Sequence, residues 1–273
     1  MRSITRIEGV GINTVARLID AAGKAAAAYH DNQVRNIKGH RTIECDEVWA
    51  FVYARKKNMS TARVAPENTG NAWTFSAIDT ESKMVISYLV GKRDGESALE
   101  WMDDLRSRLE DRPQISTDGL KAYLEATEGA FGGEVDYAQI IKYYASPEGK
   151  GGDKRYSPPK CTRIRKSLIE GNPDRDRVSI SCTERSNLAL RMGNRRFTRL
   201  TNAFSKKIEK HSAMVSLFFL HYNFCRIHKS LRVTPAMEAG IKTTVRDTKW
   251  IAELINARSK KPNRPKKYKK KTD

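Results

Sequence analysis

The sequence predicts an α/β fold whose mixed sheet begins as an antiparallel meander, continues with parallel strands and is flanked by helices. Three runs, at residues 41–51, 72–78 and 84–90, have the β-branched and aromatic content of strands. Short connections between such runs favour antiparallel pairing, although the first connection includes a charged hairpin excursion at residues 55–70. Downstream, strand-like and helical patterns alternate, which indicates a parallel part of the sheet.

The alternating part begins with an amphipathic helix at residues 97–109, because Leu99, Met102 and Leu105 recur on one face. Residues 146–159 are rich in Gly, Pro and charge, so we expect a mobile loop there. The other predicted elements are strands at 114–117 and 135–144 and helices at 120–131, 183–204, 209–228 and 250–257.

Charge indicates the class of partner. The 273 residues contain 51 Lys plus Arg against 32 Asp plus Glu, a net charge of +19, and the polyanion that such an excess most often serves is nucleic acid. An anionic membrane is disfavoured, because no apolar run approaches the roughly 18 residues of a spanning helix. No export signal opens the chain, and its four cysteines are scattered without a CxxC pair. We therefore expect a cytoplasmic protein without a zinc site or disulfides.

Residues 1–38 predict a small helical segment that resembles part of a helix-turn-helix. Asn13 or Thr14 is the expected cap of its second helix, which would present Asn13, Thr14 and Arg17 to a major groove. A trihelical reader needs a preceding helix, so we expect a partial unit. The main domain is predicted at residues 39–240, and residues 241–273 should hold a short helix and a basic, disordered tail.

Acidic residues stand at three informative places. The first strand contains Glu44, Asp46 and Glu47, although a carboxylate is expensive to bury in a sheet. Asp118 follows the strand at 114–117, at the end where α/β sheets place ligands, and Glu184 begins a helix. A divalent cation would compensate such charges. The alternatives are an edge strand with solvated acids, a turn at Asp118 and a glutamate that complements the helix dipole at Glu184.

Together, these acidic blocks resemble those of bacterial insertion-sequence transposases of the DDE type, and most closely the family named after insertion sequence one. The resemblance runs from about residue 40 to 240. The matching stretches are 46–49 (DEVW), 116–119 (STDG), 184–187 (ERSN), 199–207 (RLTNAFSKK), 221–224 (HYNF), 226–228 (RIH) and 234–236 (TPA).

The resemblance implies an RNase H-like catalytic domain with Asp46, Asp118 and Glu184 as catalytic and metal-binding residues. Two Mg²⁺ ions roughly 4 Å apart, for which Mn²⁺ can substitute, would serve cleavage and joining of a phosphodiester. By resemblance, Asp46 bridges both ions, Asp118 binds one and Glu184 the other. The implied partner is double-stranded DNA, as element ends and as target, and the implied assembly is a homo-oligomer in the bacterial cytoplasm.

Further DNA-binding candidates follow Glu184 at helical intervals: Asn187, Arg191 and Arg195. A cation near the carboxylates can hold a DNA phosphate, although a solvated basic face is the alternative for Arg191. His228 is a candidate for contact with DNA or with the catalytic edge, whereas His221 is expected to be an ordinary helix residue. Two other functions stay open: a DNA-binding regulator or decayed copy without catalysis, and an RNase H-like nuclease without strand transfer.

Overall fold

A computed structural model describes residues 1–61, 67, 69–145, 160–198 and 201–258. Short 3₁₀ helices at Lys56–Thr61 and Arg195–Phe197 accompany the main elements. The helices are α1 Arg2–Glu8, α2 Ile12–Gln33, α3 Gly95–Arg108, α4 Ala122–Phe131, α5 Ser181–Gly193, α6 Ile208–Phe224, α7 Pro235–Glu238 and α8 Thr248–Arg258. The strands are β1 Thr42–Val52, β2 Gly70–Asp79, β3 Val85–Gly91, β4 Gln114–Asp118, β5 Asp136–Tyr144 and β6 Cys161–Glu170.

The six strands form one mixed sheet in the order β3-β2-β1-β4-β5-β6. The first three pair antiparallel as consecutive neighbours, as predicted, although the connection between β1 and β2 spans residues 53–69 and only the turn between β2 and β3 is short. Strand β1 then pairs parallel with β4, and β4 pairs parallel with β5. This order and these directions confirm the predicted RNase H-like mixed sheet flanked by helices.

Strand β1 lies at the centre and contributes to the core on both faces, because alternate side chains point to opposite sides. Ile43 and Cys45 pack into the larger core with residues of α3 and α4. Val48 and Ala50 pack on the other side, against residues of α5 and α6. Met102 and Leu105 of the predicted apolar face of α3 lie in the larger core, whereas Leu99 is exposed. The first turn of α3 is capped by Asp94, whose side chain accepts the Ser97 N–H at 3.0 Å.

Helix α2 is part of the same packed body, because its second half lies against α6. Gly23 makes this possible: a Cβ at this position would lie 2.2 Å from the carbonyl oxygen of Ala213. Ala26 and Val34 are fully buried in the larger core. The N-terminus of α2 differs from the prediction that Asn13 or Thr14 caps the helix. Gly11 occupies the N-cap position and no side chain caps the helix, so Asn13 and Thr14 lie within its first turn.

The long basic helix predicted at 183–204 is wrong. Helix α5 ends at Gly193, whose missing side chain admits the Phe218 ring, and Asn194 then begins a 3₁₀ turn by accepting the Arg196 N–H. Basic residues continue past this point, so composition alone did not reveal the break. Helix α6 ends at Phe224 rather than at residue 228, which leaves His228 in the loop that follows.

Strand β6 was not predicted. It pairs antiparallel with β5 at the edge of the sheet, and nearly all of its side chains are exposed, including Arg163 and Arg165. An edge strand with charged side chains shows no alternation between buried and exposed positions, so the usual sequence signal is absent.

The predicted mobile loop at 146–159 and the predicted disordered tail beyond residue 258 lie outside the described residues. In the described part of the chain, no helix is both long and apolar enough to span a bilayer.

Candidate metal centre

The sheet opens between β1 and β4 at the position of two predicted site residues. Pairing between these parallel strands ends at Cys45 and Thr117, and the next residues are Asp46 and Asp118. The strand order also changes direction here, because β1 continues to β2 on one side while β4 and β5 lie on the other. Ligands of open α/β sheets bind in the crevice at such a point.

Three carboxylates meet in this crevice. Asp46, Glu47 and Asp118 each offer an oxygen, and the three atoms lie within 4.8 Å of one another. The structure brings together two of the three predicted site residues, Asp46 and Asp118, and adds Glu47, which was not proposed as a site residue. Its signal in the sequence was weak: it is an acid next to Asp46, but strand alternation directs it to the opposite face.

Glu47 is held by two neighbours. Arg93 donates its Nε–H to one carboxylate oxygen at 2.6 Å, and Tyr123 donates its hydroxyl to the other at 2.5 Å. Burial and the negative charge of Asp118 raise the pKa of Glu47, and the contacts with Tyr123 and Arg93 oppose that rise. These two donors hold the Glu47 carboxylate in place next to Asp46 and Asp118.

One oxygen of the Asp118 carboxylate stabilises a turn, and the other faces Arg93. One oxygen accepts the Leu120 N–H at 3.0 Å, which shows that the alternative interpretation of Asp118 as a turn residue holds as well. The other oxygen lies 3.8 Å from Arg93, whose guanidinium stacks on the Trp73 ring at 4.8 Å. The turn therefore fixes the direction in which Asp118 presents its carboxylate to the crevice.

Helix α5 is attached to β1 through Glu44. This buried carboxylate accepts the N–H groups of Cys182 at 2.6 Å and Thr183 at 3.1 Å, at the positive end of the helix dipole. The acid in the strand thus has a helix N-terminus as its partner, and the expectation that a cation compensates Glu44 is wrong. One consequence is a fixed position for α5 beside the carboxylates.

Two residues of α5 face the site. Asn187, predicted to bind DNA, is buried and donates its side-chain N–H to an oxygen of Asp46 at 2.9 Å. Glu184 lies outside the three-carboxylate group, and its exposed carboxylate pairs with Lys142 of β5 at 2.5 Å. Its charge still contributes to the raised pKa of Asp46, so it belongs to the same electrostatic environment.

Negative charge exceeds positive charge in this crevice. Burial raises the pKa of Asp46 from 3.8 to about 7, and the charges of Glu47, Asp118 and Glu184 contribute to the rise. Arg93 and Lys142 are the cationic partners of these carboxylates in the described part of the chain. Four carboxylates against two cations leave an excess that hard divalent ions would neutralise, and the donors are the oxygens that Mg²⁺ prefers. The residues present therefore fit such ions.

The other predicted DNA-binding residues are not members of the three-carboxylate group. Arg191, on α5, and Arg195, in the 3₁₀ turn after it, are exposed. In the first turns of α2, Asn13 and Arg17 are exposed on one face, and Thr14 is half-buried. These positions remain predictions of DNA contact, with α1 preceding them across Gly9, which has the left-handed φ of 63° that favours glycine.

Comparison with known proteins gives little beyond this geometry. No protein-family model and no curated protein matches the chain. Among solved structures, one match is the "Crystal structure of the Mos1 Strand Transfer Complex", at 16% identity and a TM-score of 0.24. It covers 44% of this chain and 41% of that chain, so the chain spans less than half of the protein it matches. The fold assignment rests on strand order and direction, and the candidate site rests on the convergence of Asp46 with Asp118.

Proposed function

We propose that this protein is a metal-dependent DDE-type transposase, of the family named after insertion sequence one, that cleaves DNA at element ends and joins the freed strand to a target. The convergence of Asp46 and Asp118 within 4.8 Å where β1 and β4 separate supports it best. Two acids distant in the sequence meet there, beside a helix that holds the third predicted acid, Glu184.

Asp46, Asp118 and Glu184 would hold the ions. Two Mg²⁺ ions, or Mn²⁺ in their place, would supply an activated oxygen nucleophile and stabilise the leaving oxygen of the phosphodiester. Asn187 orients the Asp46 carboxylate through its hydrogen bond of 2.9 Å. Glu44 keeps α5 in register with β1, and thereby positions Glu184 and Asn187.

Two cations at the edge of the site suit a phosphate substrate. Arg93 lies next to Asp118, and Lys142 lies next to Glu184, so each can contact the DNA backbone beside the carboxylates. The surplus of basic residues in the whole chain is consistent with double-stranded DNA as substrate and partner. A homo-oligomer that holds two element ends, acting in the cytoplasm, is part of the same proposal.

The test is a nicking and joining assay with labelled element-end DNA, Mg²⁺ and a target plasmid. The wild-type protein should nick the labelled strand and produce joined products, and Asp118→Asn should lose both activities. Asp103→Asn is the matched control, because Asp103 is an exposed acid on α3 away from the crevice and its variant should retain both activities. Nicking without joined products would contradict the transposase and indicate a nuclease. Binding without any nicking would indicate a regulator or decayed copy.

A further inference from the structure

A second cleft lies on the far side of α5 from the carboxylates. It has a volume of about 680 Å³ and is bordered by α5, by the turn between β2 and β3, and by the loop that follows α6. No acidic residue lines it among the residues that the structure describes. Five cationic side chains line it: Lys83, Arg185, Arg226, Lys229 and Arg232.

These cations are not neutralised by the protein. Within the described ranges, none of the five forms an ion pair, whereas Arg93, Arg108 and Arg112 elsewhere in the fold all do. Burial together with the charges of Lys83 and Arg226 lowers the pKa of His228, which also lines the cleft. The positive charges therefore act on the same small volume, and they favour an anion from outside.

The walls of the cleft are held in place. In the loop after α6, His228 donates its N–H to the Val233 carbonyl and accepts the Arg232 N–H, each at 2.9 Å. Arg232 has φ of 64° and Lys83 has φ of 60°, in the left-handed region where residues other than glycine are uncommon. Strained backbone of this kind is frequent at ligand-binding sites. On the facing wall, Lys83 reaches the sulfur of Cys182 at 3.4 Å.

Helix α5 separates the cleft from the carboxylates by its own width. Arg185 and Ala189 face the cleft, whereas Glu184 and Asn187 face the metal centre. Because successive residues of an α-helix are rotated by about 100°, these two faces of α5 point in directions that differ by roughly 150°. A helix with its side chains is about 10 Å across. That width corresponds to about three nucleotides of a B-form strand, at a rise of about 3.4 Å.

We propose that this cleft binds the sugar–phosphate backbone of a DNA strand about three nucleotides from the scissile position. The position relative to the cut rests on the proposed function, whereas the binding itself does not. A strand suits the site better than a free phosphate, because five cations distributed around 680 Å³ exceed what one small anion can contact.

The test measures binding of a fluorescein-labelled DNA duplex by anisotropy in EDTA, across a range of NaCl concentrations. The test variant is Arg185→Ala combined with Arg226→Ala, which removes one cation from each wall. The matched control combines Lys24→Ala with Lys249→Ala, which removes two exposed lysines that do not line the cleft. Each lost phosphate contact should make the negative slope of log K against log salt shallower by about 0.9. We expect the slope of the test variant to be shallower than that of the wild type by about 1.8, with at least a tenfold weaker Kd. The control should match the wild type.

Equal loss in both double variants would overturn the proposal, since it would show dependence on net charge alone. Competition by inorganic phosphate or dAMP as effective as by the duplex would overturn it in favour of a small-anion site. If the test variant unfolds at a lower temperature than the wild type, Lys229→Ala combined with Arg232→Gly replaces it with the same expected slope. Cleft-dependent binding by a protein that does not nick DNA would reject the proposed function and retain this inference, whereas nicking with an unchanged slope would do the reverse.

Discussion

Replacement of Asp46 by Asn should stabilise the protein in the absence of metal while it removes cleavage activity. The folded protein binds the Asp46 proton more tightly than the unfolded chain does, because burial and the neighbouring carboxylates raise its pKa from 3.8 to about 7. The free energy of unfolding of the metal-free protein therefore decreases as the pH rises from about 4 to about 7, and the contribution of Asp46 is constant above that range. Asn has the same shape without the charge, and its side-chain oxygen can still accept the hydrogen bond from Asn187.

The size of the effect follows from the pKa. A rise from 3.8 to about 7 corresponds to an upper limit of about 4 kcal/mol. Asp46 is partly accessible to water, so we expect about half of this limit, about 2 kcal/mol, at pH 8. For a chain of this size, that is an increase in Tm of about 4 to 8 °C.

Thermal unfolding in EDTA at pH 8 and at pH 4 measures the prediction. Asp46→Asn should melt higher than the wild type at pH 8 and nearly equal to it at pH 4, where Asp46 is protonated in the folded protein. Added Mg²⁺ should raise the Tm of the wild type more than that of the variant. Asp103→Asn, an identical change at an exposed helix position, controls for the loss of one charge and should leave Tm unchanged at both values. A variant less stable than the wild type at pH 8 would refute the claim that the carboxylates repel one another.

Three further predictions concern the supports of the site. Glu44→Gln should lower Tm by several degrees, because two N–H groups of α5 lose a charged acceptor worth about 1.5–3 kcal/mol. The same variant should reduce nicking more than tenfold, and normal nicking would show that Glu44 does not position α5. Tyr123→Phe should destabilise by about 1–3 kcal/mol in urea unfolding, since it leaves an oxygen of Glu47 without its donor, and an unchanged midpoint would contradict this. Gly23→Ala should destabilise the folded protein by more than about 3 kcal/mol, because the new Cβ would meet the Ala213 backbone. Gly95→Ala, where no atom lies within 4 Å of the new Cβ, should be neutral or stabilising. Equal effects of the two variants would refute the close contact between α2 and α6.

Much of the sheet was predictable from the sequence because its buried strands have a clear pattern. β1, β2 and β3 carry β-branched and aromatic residues, a short turn joins β2 to β3, and β4 is short but ends at Asp118. The exposed edge strand β6 has no buried face, so its charged residues concealed it. The break after α5 was also concealed, because it depends on the fit of Gly193 against Phe218, a residue on another helix.

The site was predictable to the extent that it depends on strand ends. Asp46 and Asp118 follow the last paired residues of neighbouring parallel strands, and a sequence pattern can indicate that position. The roles of Glu44, Glu47 and Asn187 depend on which element packs over which face, and this is a property of tertiary structure. Glu44 was correctly identified as a strand acid in need of a partner, but only the packing of α5 on β1 shows that its partner is a helix N-terminus.

The close contact of α2 with α6 has a geometric consequence for any bound DNA. The two helices run in the same direction, since Asp20 pairs with Lys210 at one level and Tyr29 packs on Phe224 at a later one. The residues predicted to read bases, near Asn13, and the loop that begins after Phe224 are therefore held about sixteen residues apart along one rigid pair, or about 24 Å. A duplex that touched both would be contacted at points about seven base pairs apart, at about 3.4 Å for each pair. The helix pair would then fix the interval between the residues predicted to read bases and the basic cleft beside the loop after α6.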